Sequence, residues 1–374
     1  HIDLYQIFKK RKAVIFKSEP YSMSLKNLIK ILKLDDEGMK GEIDYKIFQK
    51  NEFTEEEMNE IEIYIKQDLL LTNKLWNFIL KTFELFKEFV SEENQLRFRY
   101  LKSSLGSYAY SVLCNYLKID EKYGINNKEG SYIGAFVKQP IKEFVKGNDL
   151  YFDFASLYPQ LYVHANLFSS DCSCCNKDEK WHGNEIFKVN GYYCNKKQGR
   201  IEEFVKHMIL KRKELKKIGD IREIVYKYIL NSLYGDSSNP SFSHLYRENL
   251  ASDCTSLAQQ CIKYSIKKFE DNGFISLYAD TDSLFIEISE GKTKEDAMNL
   301  AKQISSEISS YFPFPWEEFN FKLEDEIKYI KFFKWVEDVT YAKKLMKDED
   351  NYLDTMCRHI KGQCTGQTAL EAIS

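Results

Sequence analysis

Apolar and polar positions recur along this chain in two rhythms, and the rhythms divide it into elements. From Glu55 to Glu92, Ile61, Tyr64, Ile65, Leu69 and Leu71 recur near the helical period and predict one long amphipathic helix. A second helical stretch runs from Glu93 to about Lys118 and leads into a polar loop, Ile119 to Gly130. Runs at Tyr132–Val137 and Asp149–Phe154 predict strands. A helix is expected over Gln160–Ser170, followed by a cysteine-rich insert over Asp171–Gln198. Arg200–Ile218 and Arg222–Tyr234, separated by Gly219-Asp220, predict an antiparallel helical hairpin. A further helix over Leu250–Asp271 precedes Ser276–Phe285, where strand-forming residues flank the polar corner Asp280-Thr281-Asp282. A helix over Lys294–Tyr311, a Pro-aromatic loop over Phe312–Phe319 and strands around Phe321–Lys334 complete the pattern. The first 92 residues read as mixed α/β, and the fold class of the chain as α+β.

Composition narrows this picture only a little. With 374 residues, 43% of them hydrophobic, the chain can bury sizeable cores and is expected to form two or three domains. The formal net charge of -3 gives no global argument for nucleic acid, so any basic surface must be local. Nine cysteines at uneven spacing do not make a secreted disulfide framework in a chain this long. No apolar run approaches transmembrane length and no signal peptide opens the sequence, which predicts an intracellular protein without a membrane partner. The first residue is His1, so the sequence is expected to begin inside an open reading frame or after processing.

Candidate chemistry sits at three places. Asp280 and Asp282 are separated by one residue at a strand–turn–strand corner, where two ionised acids repel unless a cation lies between them. Turn chemistry alone also allows a solvent-facing hairpin tip. Asp153 lies at a strand end just before Pro159, so it is either a helix cap or a third acid of the same set. Three acids on two strand ends suit two Mg²⁺ ions, which prefer hard oxygen ligands. The helical hairpin supplies cations: from Lys196 to Lys227 there are eleven Lys or Arg against five Asp or Glu. Arg212 and Lys216 are four apart, as are Lys227 and Asn231, with Tyr234 three further on. Such a charge run reads either as a solvated face or as a seat for a triphosphate. Tyr234-Gly235 offers an aromatic plane beside a close-approach glycine. Cys172, Cys174, Cys175, Cys194 and His182 gather in the insert and read as free thiols or as a structural Zn²⁺ site.

Taken together, these segments resemble family B DNA polymerases. Asp153-Phe-Ala-Ser-Leu-Tyr-Pro159 is similar to that family's motif A, Lys227-Tyr-Ile-Leu-Asn-Ser-Leu-Tyr-Gly235 to motif B, and Tyr278-Ala-Asp-Thr-Asp-Ser283 to motif C, in the family's order. The resemblance implies a palm built on an antiparallel sheet with helices, helical-hairpin fingers, and a preceding partial RNase H-like exonuclease domain. The implied boundaries are 1–92 for the partial 3′–5′ exonuclease-like domain, 93–171 for a lead-in and first part of the palm, and 172–244 for the fingers with the Cys-rich insert. The second part of the palm would span 245–334 and the start of a thumb 335–374. It implies template-directed addition of dNTPs to a primer 3′-end on primer–template DNA, with a processivity factor as a further partner, wherever DNA replication takes place.

By position, the resemblance makes Asp153, Asp282 and Asp280 the catalytic Mg²⁺ ligands and Tyr158 a steric gate against ribose, with Leu157 beside it. It assigns Arg212, Lys216 and Lys227 to the triphosphate, and Asn231 and Tyr234 to the nascent pair. Tyr132, Gly134, Gly235, Thr281 and Tyr341 would contact DNA; Tyr132-Ile-Gly-Ala135 departs from the family's Tyr-x-Gly-Gly in its last position. Asp338-Val-Thr-Tyr-Ala342 lacks the basic residues of the family's primer-contact element, and Ile360-Lys-Gly362 resembles the start of the thumb. Lys322-Leu-Glu-Asp-Glu326 is similar to a segment with an accessory acid, although a structural role is preferred for Glu324 and Glu326. Tyr64-Ile-Lys-Gln-Asp68 resembles the third exonuclease motif, leaving Tyr64 and Asp68 as a remnant; without the two upstream acidic motifs no proofreading is expected. The alternative reading is a non-catalytic nucleic-acid-binding fragment, and a third is a nuclease acting through Asp68.

Overall fold

Alternation along one strand decides which way the chemistry faces. In β2 (Phe144–Phe154), Phe152 and Phe154 are buried against aromatic neighbours: Phe152 lies 5.3 Å from Phe269, and Phe154 stacks on Phe321 at 4.2 Å. Successive side chains on a strand point to opposite faces, so Tyr151 and Asp153 emerge together on the other face. The computed structural model describes residues 2–16, 22–34, 43–125, 134–140, 144–317 and 319–331, without the side chains of residues 13, 45, 144–148 and 325–331. Among these, the chain forms two compact units, one of 1–122 with 210–236 and one of 123–209 with 237–374.

The second unit holds a five-stranded antiparallel sheet among the described residues, ordered β1-β5-β6-β2-β7. The other strands are β1 (Val137–Lys138), β5 (Ile275–Asp280), β6 (Ser283–Glu287) and β7 (Phe321–Lys331). α10 (Leu250–Asp271) buries Leu257, Ala258, Cys261, Ile262, Ser265 and Phe269, a stripe at helical spacing, and meets the sheet where Phe269 lies against Phe152. α11 (Lys294–Ser310) starts at a capping box between Thr293 and Asp296 and buries Ala297, Leu300, Ala301, Ile304 and Ile308. α7 (Leu157–Ala165) follows β2 directly. The insert after it forms a two-stranded sheet, β3 (Trp181–Gly183) with β4 (Lys188–Tyr193). Asp253 of α10 holds that small sheet in place, accepting from the amides of Asn190 (2.9 Å) and Gly191 (2.7 Å) and from the Tyr193 hydroxyl (2.7 Å).

The first unit is helical among its described residues: α1 (Leu4–Ile15), α2 (Leu25–Ile31), α3 (Glu55–Lys87), α4 (Glu92–Leu96), α5 (Arg99–Lys102) and α6 (Leu105–Leu117). The expected mixed α/β character of residues 1–92 is therefore not found among the described residues, because the apolar positions there follow the helical period, as Ile7, Phe8 and buried Arg11 do on α1. Arg11 sits 5.4–5.7 Å from the ring centres of Phe83, Phe86 and Tyr108 and donates to the Tyr100 carbonyl at 2.7 Å. α8 (Arg200–Lys217) begins in the second unit and ends in the first, where α9 (Glu223–Ser237) runs back beside it. Their turn uses Gly219 at φ +70°, a backbone conformation that a side chain disfavours. Tyr226 and Tyr228 of α9 pack edge-on to Phe89 (5.1 Å) and stacked on Phe86 (6.4 Å).

Candidate active site

The turn from β5 to β6 is two residues long, Thr281-Asp282, with Asp280 and Ser283 paired at its base. Ser283 also pairs with Asp153 on the neighbouring strand β2. One row across the sheet thus reads Asp280, Ser283, Asp153, and the period of two places all three on the face carrying Tyr278, Phe285 and Tyr151. Asp282 caps this row from the turn. Its carbonyl accepts from the amide of Phe154 at 2.9 Å, and its amide donates to the Asp280 carbonyl at 2.7 Å.

Two residues around this row hold left-handed backbone that their side chains disfavour: Thr281 at φ +58° and Ser156 at φ +60°. Thr281 is fixed there by its amide donating to the Phe136 carbonyl at 2.9 Å and its hydroxyl donating to Asp280 Oδ1 at 2.9 Å. The Tyr278 hydroxyl donates to Asp280 Oδ2 at 3.4 Å. Ser156 turns the chain from β2 into α7, which presents Leu157 buried and Tyr158 half-buried one step beyond the row; the Tyr158 carbonyl accepts from Cys254 at 3.9 Å.

Burial, then the charges of Asp282 and Glu324, push the Asp153 carboxyl well above the usual carboxylate range, against Lys322 and a hydrogen bond from Tyr151. Asp282 is raised as well, by burial and by Asp280. Acids kept this close without a counter-charge hold protons instead, and a divalent cation would displace those protons. The donors are all hard oxygens on a half-buried face, the ligand type that Mg²⁺ prefers. Glu324, for which the sequence favoured a structural role, is half paired with Lys322 (2.6 Å) yet lies close enough to act on Asp153. The strand register that brings them together, Asp153 opposite Lys322 on β7, appears only in the fold.

The remaining expected residues fall as follows. Gly134 lies on the second unit, its carbonyl accepting from Gln259 of α10, and Lys263 of α10 sits 4.8 Å from the Phe136 ring. In the first unit Lys216, Lys227 and Asn231 are exposed, with Lys227 and Asn231 one turn apart on α9; Tyr234 is half-buried and Gly235 exposed. Arg212 is engaged by Glu223, its Nε donating at 3.1 Å across the helical hairpin. Tyr64 packs on Ile43, Ile47 and Ile61, and Asp68 is half-buried on α3. The sulfurs of Cys172, Cys174, Cys175 and Cys194 come together, whereas His182 is not of their group: its ring stacks on Tyr192 at 5.4 Å. Tyr132, Tyr341 and the segments around 338–342 and 360–362 lie outside the described residues, as does the side chain of Glu326.

The acids thus stand in one row on an antiparallel sheet, and a helix leaves directly from one acid-bearing strand. The chain matches DNA polymerase family B over residues 63–333, most of its length, and it belongs to that family. It is similar to a DNA polymerase of Thermococcus gorgonarius, 27% identical over 304 residues, covering 73% of this chain and 37% of that protein. It is also similar to a DNA polymerase of Archaeoglobus fulgidus, 30% identical over 192 residues, covering 48% of this chain and 23% of that protein. In fold it resembles the family B DNA polymerase of Pyrobaculum calidifontis, with a TM-score of 0.53 at 17% identity over 90% of this chain and 43% of that one. The match thus spans less than half the length of each of these relatives. Among the described residues, no helix is long and apolar enough to cross a membrane.

Proposed function

We propose that this chain carries the palm and fingers of a DNA-directed DNA polymerase and extends a primer 3′-end with dNTPs on a DNA template. The observation that carries the reading is the row Asp280–Ser283–Asp153 capped by Asp282, which joins acids more than a hundred residues apart in sequence on one sheet face. In this reading the sheet unit is the palm and the α8–α9 hairpin the fingers. Mg²⁺ held by Asp153 and Asp282 would lower the pKa of the attacking hydroxyl and offset charge on the leaving phosphates.

The chain's own residues do the rest. Asp153 and Asp282 hold the reacting end in one orientation because their backbones are tied by the Phe154–Asp282 hydrogen bond and cannot drift apart. Tyr158, on the first turn of α7, fills the space beneath the sugar and rejects a 2′-hydroxyl. Lys216, Lys227 and Arg212 grip the triphosphate, with Arg212 exchanging its Glu223 partner for phosphate oxygens. Asn231, Tyr234 and Gly235 border the nascent pair, and Gly134 and Thr281 lie along the DNA. Asp68 and Tyr64 belong in this reading to the third exonuclease motif.

Primer extension by the intact chain, compared with Asp282→Ala, tests the proposal. Extension by the parent and a loss of at least about 100-fold in the variant are expected. Equal activity in both sinks the reading. Salt-sensitive DNA binding without turnover in either would instead favour a non-catalytic binding fragment.

A further inference from the structure

Four thiols converge in the insert between α7 and α8. The Sγ atoms of Cys172, Cys174, Cys175 and Cys194 all lie within 4.8 Å of one another, with Cys172–Cys175 at 3.3 Å and Cys174–Cys194 at 3.2 Å. A single tetrahedral Zn²⁺ with Zn–S bonds of about 2.3 Å spaces its sulfurs roughly 3.8 Å apart, which falls inside this range. Hydrophobic burial does not account for the gathering. Cys114, Cys254 and Cys261 are buried among apolar neighbours, whereas Cys174 is exposed and Cys172 and Cys175 are only half-buried.

Hydrogen-bond donors and a cation lie beside the cluster. The backbone amides of Lys196 and Lys197 donate to Cys194 Sγ, and Lys196 lies close enough to Cys174 and Cys175 to feel their charge. Cys172 and Cys175 are three apart, the short pair of a metal knuckle that the Cys-x-Cys-Cys run conceals. Cys194 is held independently of any metal: its amide donates to the Ser169 hydroxyl at 2.9 Å, and its carbonyl accepts from Asn166 at 2.8 Å.

We propose that Cys172, Cys174, Cys175 and Cys194 bind one Zn²⁺ as a closed, four-thiolate structural site. Its place in the chain says what it fastens. The first three ligands follow the end of α7, which leaves the Asp153 strand, and the fourth comes six residues before α8 begins at Arg200. Asn166, at the C-cap of α7, already bridges to Lys197 (3.0 Å) and Gly199 (3.0 Å). Zinc adds a second tie between the same two helix ends and fixes the direction in which α8 departs. A polynuclear iron–sulfur cluster is excluded by the spacing, because bridging sulfide holds its thiolates farther apart than a single ion does.

Elemental analysis of the intact chain, purified under reducing conditions without added metal, tests this directly. One zinc per chain is expected, released by a mercurial reagent as four thiols react. Replacement by Co²⁺ should give thiolate-to-metal charge-transfer bands and the visible bands of a tetrahedral ion. Cys174→Ser, at an exposed position, should lose the zinc and lower Tm by roughly 5 °C or more. Iron in place of zinc, a metal-free protein with four reactive thiols, or cysteine pairs joined as disulfides would each overturn the proposal. Metal content is read on the parent protein whether or not it extends a primer, so this result and the polymerase reading stand or fall separately.

Discussion

The amide of Phe154 donates to the carbonyl of Asp282 at 2.9 Å, and this one bond latches the acid-bearing turn onto the acid-bearing strand. Without it the β5–β6 turn would be held to β2 only through its flanking strand. With it, the backbones of Asp153 and Asp282 are fixed relative to each other before any ligand arrives, and catalytic sites depend on that fixity.

Thr281 maintains the latch at a cost. A β-branched residue at φ +58° is strained by about 1 kcal/mol or more, and Gly would relieve it. Thr281→Gly is expected to leave Tm unchanged or slightly raised, since the relief is partly offset by the greater freedom of Gly in the unfolded chain. Primer extension should fall about tenfold or more, because the hydroxyl no longer orients Asp280 and the turn loosens. Melting curves and extension rates measured on one preparation check the pairing of effects; a variant that loses stability and keeps its rate contradicts it.

Tyr158 gives a selectivity prediction. It stands on the first turn of α7, with its carbonyl against Cys254 on α10 and its ring half-exposed. Tyr158→Ala should raise incorporation of ribonucleotides relative to deoxynucleotides by about 100-fold, the discrimination that one well-placed steric contact can supply. Competition between rNTP and dNTP in single-nucleotide extension reads this ratio. No change in the ratio would remove Tyr158 from the sugar site.

Much of this arrangement could be read from the sequence where residue chemistry and local structure agree. The Asp280–Asp282 corner was visible because turn residues interrupt two apolar strands, and α10 because its buried stripe runs unbroken over Leu250–Asp271. Elements without a local signature were misjudged. The expected helix to Glu92 ends at Lys87, and the stretch expected as one helix from Glu93 is cut into α4, α5 and α6. One break falls at Phe98, in left-handed conformation at φ +52°, which no turn residue announces. β2 begins at Phe144 rather than Asp149, since its first half is held by pairing with β7. His182 looked like a ligand through nearness in sequence, but β-pairing turns it toward Tyr192. The nearness of Glu324 to Asp153 could not be foreseen, because strand register is invisible in a single sequence.

That register makes Glu324 testable. If it contributes charge to the metal site, Glu324→Gln should raise the Mg²⁺ concentration for half-maximal extension several-fold, with Tm little changed because its Lys322 pair is partly exposed. Magnesium titrations of both proteins decide it. A normal Mg²⁺ requirement would return Glu324 to a purely structural role.

Asp236 makes the stability of the helical unit depend on pH. It is buried near the end of α9, its Oδ1 against Gly106 of α6 and its Oδ2 without a hydrogen-bond donor, and burial pushes its carboxyl up to about 7. A folded-state pKa above the unfolded value means that the native state holds this proton more tightly than the unfolded chain does. Its contribution is therefore fully present below about pH 4, declines as the pH rises, and is gone above about 7. Asp236→Asn stays neutral throughout, so it should match the parent near pH 4 and exceed it at pH 8 by up to roughly 4 kcal/mol, less whatever water the site admits. Urea denaturation at both pH values measures the gap. A difference between the proteins that is the same at pH 4 and pH 8 would show that Asp236 is ionised at both, or finds a donor that leaves its carboxyl unshifted.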